Sequence, residues 1–208
     1  MGGTRQVSSL RVVVDREALL KLLRYRKGTT TADRRTEKLL DETIREGYSL
    51  LETAAVYRNV GLEVRGDAGV SVDAGELSLE GASIARHLAA CTHGTIMAVT
   101  VGEGISARAR EHSEAGDMAM AAILDAFGSE AVEGLADMLT AHIAAGARMA
   151  DCSLTGRFSP GYGDLSLEHQ KGLLEYVEGY RVGISLSETL TMTPEKSITA
   201  VLGWRSKR

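Results

Sequence analysis

Apolar positions along the chain follow two textures, one with helical spacing and one with the two-residue period of strands. Residues 15–26 (DREALLKLLRYR) set Leu19, Leu20, Leu22 and Leu23 on one side and predict a short amphipathic helix. Residues 31–55 predict a longer one, with Thr31 or Asp33 as N-cap and Gly47 as a point of bending or breakage. Leu39, Leu40, Ile44, Leu50 and Leu51 form its apolar face, and charges fill the other side. Over residues 56–80 the pattern shifts to short alternating stretches cut by glycines, which predicts antiparallel strands and hairpins. Residues 83–90 return to helix, and the β-branched run at 95–101 (TIMAVTV) predicts a buried strand.

The longest predicted element runs from Asp117 to about Met149, with Met120, Ile123, Phe127, Ala131, Leu135 and Met138 at helical spacing. It reads as one long helix or two abutting ones, with Asp117 as N-cap and a weak point at Gly128-Ser129. A further helix is expected from Ser166 to about Glu178. Residues 183–193 and 197–204 alternate like strands joined by a turn at Pro194-Glu195. This order predicts an α+β fold built on an antiparallel sheet with a long helix. The change of texture near residue 56 marks the one candidate boundary. It would part an N-terminal helical segment (1–55) from an α+β core (56–208), most simply within one compact domain.

Composition narrows the function classes. A hydrophobic fraction of 44% and a charged fraction of 25% suit an ordinary globular chain. A net charge of −4 argues against nucleic-acid and anionic-membrane partners. No leader or membrane-spanning run is visible. Cys91 and Cys152 lack the spacing of a redox or zinc motif, so a cytoplasmic protein with reduced, buried cysteines is expected.

Most catalytic signatures are missing. The five histidines show no metal-ligand pair, and there is no nucleophile elbow, phosphate-binding lysine loop or D-x-H-x-x-G corrinoid-ligand pattern. Gly102-Glu103-Gly104-Ile105-Ser106-Ala107 fits a loose G-x-G-x-x-A, but the region twenty residues on reads as helix rather than a second strand. A plain glycine turn is the favoured reading there. Among the acidic residues of the long helix, Glu133 and Asp137 are four apart and share a face.

The candidate chemistry centres on Arg157-Phe158-Ser159-Pro160-Gly161-Tyr162-Gly163-Asp164. Proline fixes φ, and the following glycine admits φ > 0. The result is a rigid turn with exposed backbone, carrying a guanidinium fork and a flat aromatic face. Such a turn could clasp a ligand bearing a carboxylate and a ring; a simple surface turn is the alternative.

Residues 157–170 (RFSPGYGDLSLEHQ) together with 183–203 (GISLSETLTMTPEKSITAVLG) resemble the activation domain of cobalamin-dependent methionine synthase, in its short standalone form. LSLEGASIARHLAACTHGTIMAVTVG, DMAMAAILDAFGSEAVE and the early LLRYRKG run fit the same family, so the resemblance covers most of residues 20–204. It departs after Tyr162, where the family's Pro-Ala-Cys-Pro-Asp-His is replaced by Gly163-Asp164-Leu165-Ser166 onward. The resemblance implies a twisted antiparallel sheet and binding of S-adenosylmethionine. It also implies a corrinoid partner: methionine synthase or a related methyltransferase. There flavodoxin or a similar donor reduces cob(II)alamin, and S-adenosylmethionine methylates the product. By the same resemblance Arg157 would pair with the methionine carboxylate, and Glu133 would meet the amino group. Ser159, Pro160 and Gly161 would line the groove, Tyr162 would face ligand or corrin, and Glu188 lies in the family's strand motif. Cobalamin itself would come only with the partner protein. A non-catalytic docking or capping module for a corrinoid protein is the rival expectation, and an unrelated small-molecule-binding domain a weaker one.

Overall fold

A computed structural model describes residues 3–24 and 34–207. The proposed N-caps Thr31 and Asp33, and the end of the LLRYRKG run, lie outside the described residues. In chain order the elements are β1 (Arg5–Ser8), α1 (Arg16–Leu22), α2 (Arg34–Ser49), β2 (Ala54–Val64), β3 (Gly69–Val72), β4 (Leu77–Glu80), α3 (Ala82–His87), β5 (Cys91–Thr100), α4 (Gly104–Glu114), α5 (Met118–Met149), β6 (Cys152–Leu154), α6 (His169–Tyr176), β7 (Ser185–Leu186), β8 (Met192–Thr193) and β9 (Ser197–Ser206). Seven strands form one antiparallel sheet in the order β4-β3-β2-β5-β9-β6, with β1 also paired to β2. The fold is α+β with a long helix, as the pattern of positions predicts.

Both faces of the sheet are covered, which explains the unbroken apolar run of β5. Met97 and Val99 point into a core shared with Phe127, Leu135 and Leu139 of α5. Ile96 and Ala98 point the other way, into a core with Ile84 of α3 and Leu173 of α6. Strand β9 repeats the alternation: Ala200 and Leu202 face α5, and Val201 faces α3 and α6. Successive strand side chains point to opposite faces, so a two-sided strand must be apolar throughout.

Several boundaries differ from those expected. Helix α2 continues through Gly47 and ends at Ser49, with Leu50 and Leu51 packing from the connection that follows. Gly47 serves close approach: a Cβ there would lie 2.6 Å from Cδ1 of Phe127, whose ring meets Tyr48 edge-on at 5.0 Å. Helix α5 likewise runs unbroken through Gly128, where a Cβ would stand 2.9 Å from Cγ2 of Ile105 on α4. Asp117 precedes α5 but makes no capping hydrogen bond through its side chain. Leu22, expected on the buried side of α1, is exposed. Helix α6 begins at His169 rather than Ser166.

The last two expected strands do not pair with each other. β8 folds back on β7 as a separate hairpin, while β9 inserts between β5 and β6 in the main sheet. Strands β1 and β6 carry no alternation long enough to read from sequence, and α4 follows the glycine turn as an element of its own. Cys91 is buried and its thiol pKa is pushed up, first by burial; Cys152 is only half-buried, contrary to expectation.

Candidate functional site

The proline turn hangs on β9. Phe158 bridges Val201, with its amide donating at 3.0 Å and its carbonyl accepting at 2.8 Å. The Ser159 hydroxyl donates to the Thr199 carbonyl at 2.7 Å, and Pro160 is buried. Gly161 adopts φ 90°, a value that favours glycine, and its amide donates to the Leu165 carbonyl at 2.7 Å. The far end is tied to α3, where the Asp164 carboxylate accepts from the Ala82 and Ser83 amides, each at 2.9 Å. These bonds hold the Asp164 carboxyl below its usual pKa, the Ser83 amide contributing most. Asp164 thus ties the end of the turn to the start of α3. Tyr162 remains 56% exposed, edge-on to Phe158, which packs on His87.

Arg157 leaves this turn toward the middle of α5. Its Nη2 donates to Glu133 Oε2 at 2.8 Å and to Asp137 Oδ1 at 2.9 Å. Its Nη1 is buried without a partner. The structure therefore brings Arg157 and Glu133 together, one on each element, and adds Asp137 as a third member. One signal for Asp137 lay in the sequence, its i,i+4 spacing from Glu133. The resemblance names Glu133 alone, and the spacing does not show that Asp137 also faces the turn.

Beside Glu133 lies a cavity of ≈ 390 Å³ lined by Glu130, Glu133, Glu195, Lys196, Ser129 and Ile198 among others. Lys196 is nearly buried and already engaged, donating to Asp125 at 2.6 Å and Ser129 at 3.0 Å. The Glu130 carboxyl is raised in pKa, first by burial and then by the nearby charges of Asp15, Glu133 and Asp137. Glu188 stands apart: it is exposed on the β7–β8 connection and lines a different groove of ≈ 520 Å³ with Lys171, Tyr180 and Leu190.

The glycine turn before α4 borders a cavity of ≈ 900 Å³. Its glycines answer to packing. A Cβ on Gly102 would lie 2.8 Å from Cβ of Glu52, and one on Gly104 would lie 3.0 Å from the Leu50 carbonyl. The connection at residues 50–52 therefore packs directly against both glycines. Among the described residues, no group of three or more His, Cys, Asp or Glu is placed to hold a metal ion, and no helix is long and apolar enough to cross a membrane.

A solved structure resembles this architecture: the crystal structure of the MetH reactivation domain bound to AdoHcy. The match has a TM-score of 0.71 and covers 99% of this chain and 79% of that one. The two share a fold. Sequence identity is 13%, so the likeness is one of architecture. No family model matches the chain, and no curated protein matches it in sequence.

Proposed function

We propose that this chain is an activation module for cobalamin-dependent methionine synthase or a related corrinoid methyltransferase, binding S-adenosylmethionine at Arg157 and Glu133. One observation carries the reading: a turn arginine and a helix carboxylate lie 2.8 Å apart on a fold shared with a domain solved with AdoHcy. An α-amino acid needs a cation for its carboxylate and an anion for its ammonium. Arg157 and Glu133 supply that pair. Nη2 of Arg157, now held by the exposed carboxylates of Glu133 and Asp137, is the donor a ligand carboxylate would take over, and a second contact would require the buried Nη1 to be uncovered.

In this reading Ser159, Pro160 and Gly161, held on β9, would line the ligand groove from the turn side, although none of them lines the cavity beside Glu133. The exposed ring of Tyr162 offers a stacking face to the adenosyl group or to the partner's corrin. Bound S-adenosylmethionine supplies an electrophilic methyl group on its sulfonium. The corrinoid, and the electron that reduces it, come from partners, with flavodoxin or a similar protein as donor. This chain's contribution is orientation, which lowers the barrier by pre-paying positional entropy.

Calorimetry with S-adenosylmethionine tests the reading. Binding to the native chain and its loss in Arg157→Ala are expected. No heat at millimolar ligand would overturn it and leave the docking-module alternative.

A further inference from the structure

The groove of ≈ 520 Å³ that holds Glu188 has a helix for one wall and a strand edge for the other. Lys171, Leu174 and Glu175, three and four residues apart, present one face of α6 to it. Ser185 and Leu186 of β7, with Ser187 and Glu188 after them, form the opposite wall. No residue of β8 lines the groove, so it lies on the side of β7 that faces away from β8, its partner in a two-stranded sheet.

The ladder fixes what that side carries. The Ser187 amide donates to the Thr191 carbonyl at 2.9 Å, and Leu186 stands opposite Met192. Bonded and non-bonded pairs alternate in an antiparallel ladder, so Leu186 and Met192 are a non-bonded pair. The N–H and C=O of Leu186 therefore point outward on the groove side, as an open strand edge. Buried Leu174 and Ile184 make the floor apolar, and Tyr180 stands beside it with 72% of its surface exposed. The rim is unequally charged. Glu175 and Glu188 lie on opposite walls, and Lys171 is the one cation among the described lining residues. All three are exposed, and none ion-pairs with another described residue.

We propose that this groove binds an extended, basic peptide segment of another protein, which adds a third strand to β7. An extended chain answers the N–H and C=O of Leu186 together, and its alternate side chains reach the apolar floor. Two carboxylates against one ammonium favour basic side chains at the rim. The site is separate from Arg157 and does not rest on S-adenosylmethionine binding. With so short an edge, the dissociation constant is expected on the order of 0.1–1 mM.

The test titrates a blocked peptide, Lys-Val-Lys-Leu-Lys, into the isotope-labelled chain and follows the backbone amide resonances by NMR. Saturable shifts are expected at Leu186, Tyr180 and the groove face of α6. The same peptide with glutamate for lysine should bind at least about tenfold more weakly, and Glu188→Gln should weaken the basic peptide by about threefold. Successive N–H groups of a strand point to opposite edges. N-methylation of the three lysines, or of the valine and leucine, should therefore abolish binding in one case and spare it in the other. Tyr180→Ala, at an exposed ring, should weaken binding at unchanged Tm, and Arg157→Ala should leave the titration unaltered. The proposal is overturned by an absence of saturable shifts at millimolar peptide, by equal binding of the acidic peptide, or by full binding of both methylated forms. Shifts at Leu186 that grow with protein concentration alone would assign the edge to a second copy of the chain and overturn it as well.

Discussion

Arg157 of the proline turn and Glu133 of α5 are joined by a hydrogen-bonded ion pair of 2.8 Å across 24 residues of sequence. The guanidinium is 22% exposed and the carboxylate 54%, so water screens one side of the pair. Its worth to stability is about 1 kcal/mol or less. Arg157→Ala is therefore expected to lower Tm by only a few degrees while S-adenosylmethionine binding is lost. Calorimetry and a thermal melt on the same preparation check both halves. A large loss of stability would recast Arg157 as a structural strut.

Asp164 offers a contrast, because its carboxylate caps α3 and receives no ligand role. Its folded pKa is depressed, so its contribution to stability is present above the ordinary aspartate value of about 3.9 and is lost as pH falls through the lower folded value. Asp164→Ala is expected to lower Tm at neutral pH. The difference from the native chain should close as pH falls below about 4. Thermal melts across pH 2–7 measure it, and a difference that persists at the acid end would contradict the assignment.

The packing of α2 on α5 turns on Phe127 against Gly47. Phe127 is fully buried, and its truncation to alanine is expected to cost about 3–5 kcal/mol. Gly47→Ala should also destabilise, by about 1–3 kcal/mol, although alanine is the better helix former. The new methyl would lie 2.6 Å from the ring. Combining Gly47→Ala with Phe127→Leu should cost less than the sum of the two changes. Urea titration of the four proteins closes that cycle.

Tyr162 projects from the turn with 56% of its surface exposed. Tyr162→Ala is expected to change stability by no more than about 0.5 kcal/mol. Loss of activation with a corrinoid partner, at unchanged Tm, is the outcome that assigns the ring to ligand or partner. Unaltered activation would remove Tyr162 from the site.

Fold class was legible because both periods are strong: the four-residue spacing of Ile123, Phe127, Ala131 and Leu135, and the β-branched run of β5. Elements that draw their stability from neighbours were not. Strand β6 has three residues and exists because β9 lies beside it. The pairing of 183–193 with 197–204 failed because alternation shows that a segment is a strand and says nothing of its partner. Glycines misled at Gly47 and Gly128, where absence of a side chain admits another helix or ring instead of ending the element. At the candidate site the turn was legible from the local signals of Arg157, Pro160 and Gly161, whereas Glu133 came only from the family resemblance. Asp137 and the Asp164 cap depend on distance between elements, which composition does not carry.

The central claim is that this chain presents S-adenosylmethionine to a reduced corrinoid held by another protein. Its most direct test mixes the chain with a cob(II)alamin-loaded methionine synthase lacking its own activation domain, a reductant and S-adenosylmethionine, and follows the absorption spectrum. The methylcobalamin spectrum should form only when all components are present, and should not form with Arg157→Ala. Formation at the same rate without the chain, or no formation with it, would contradict the account.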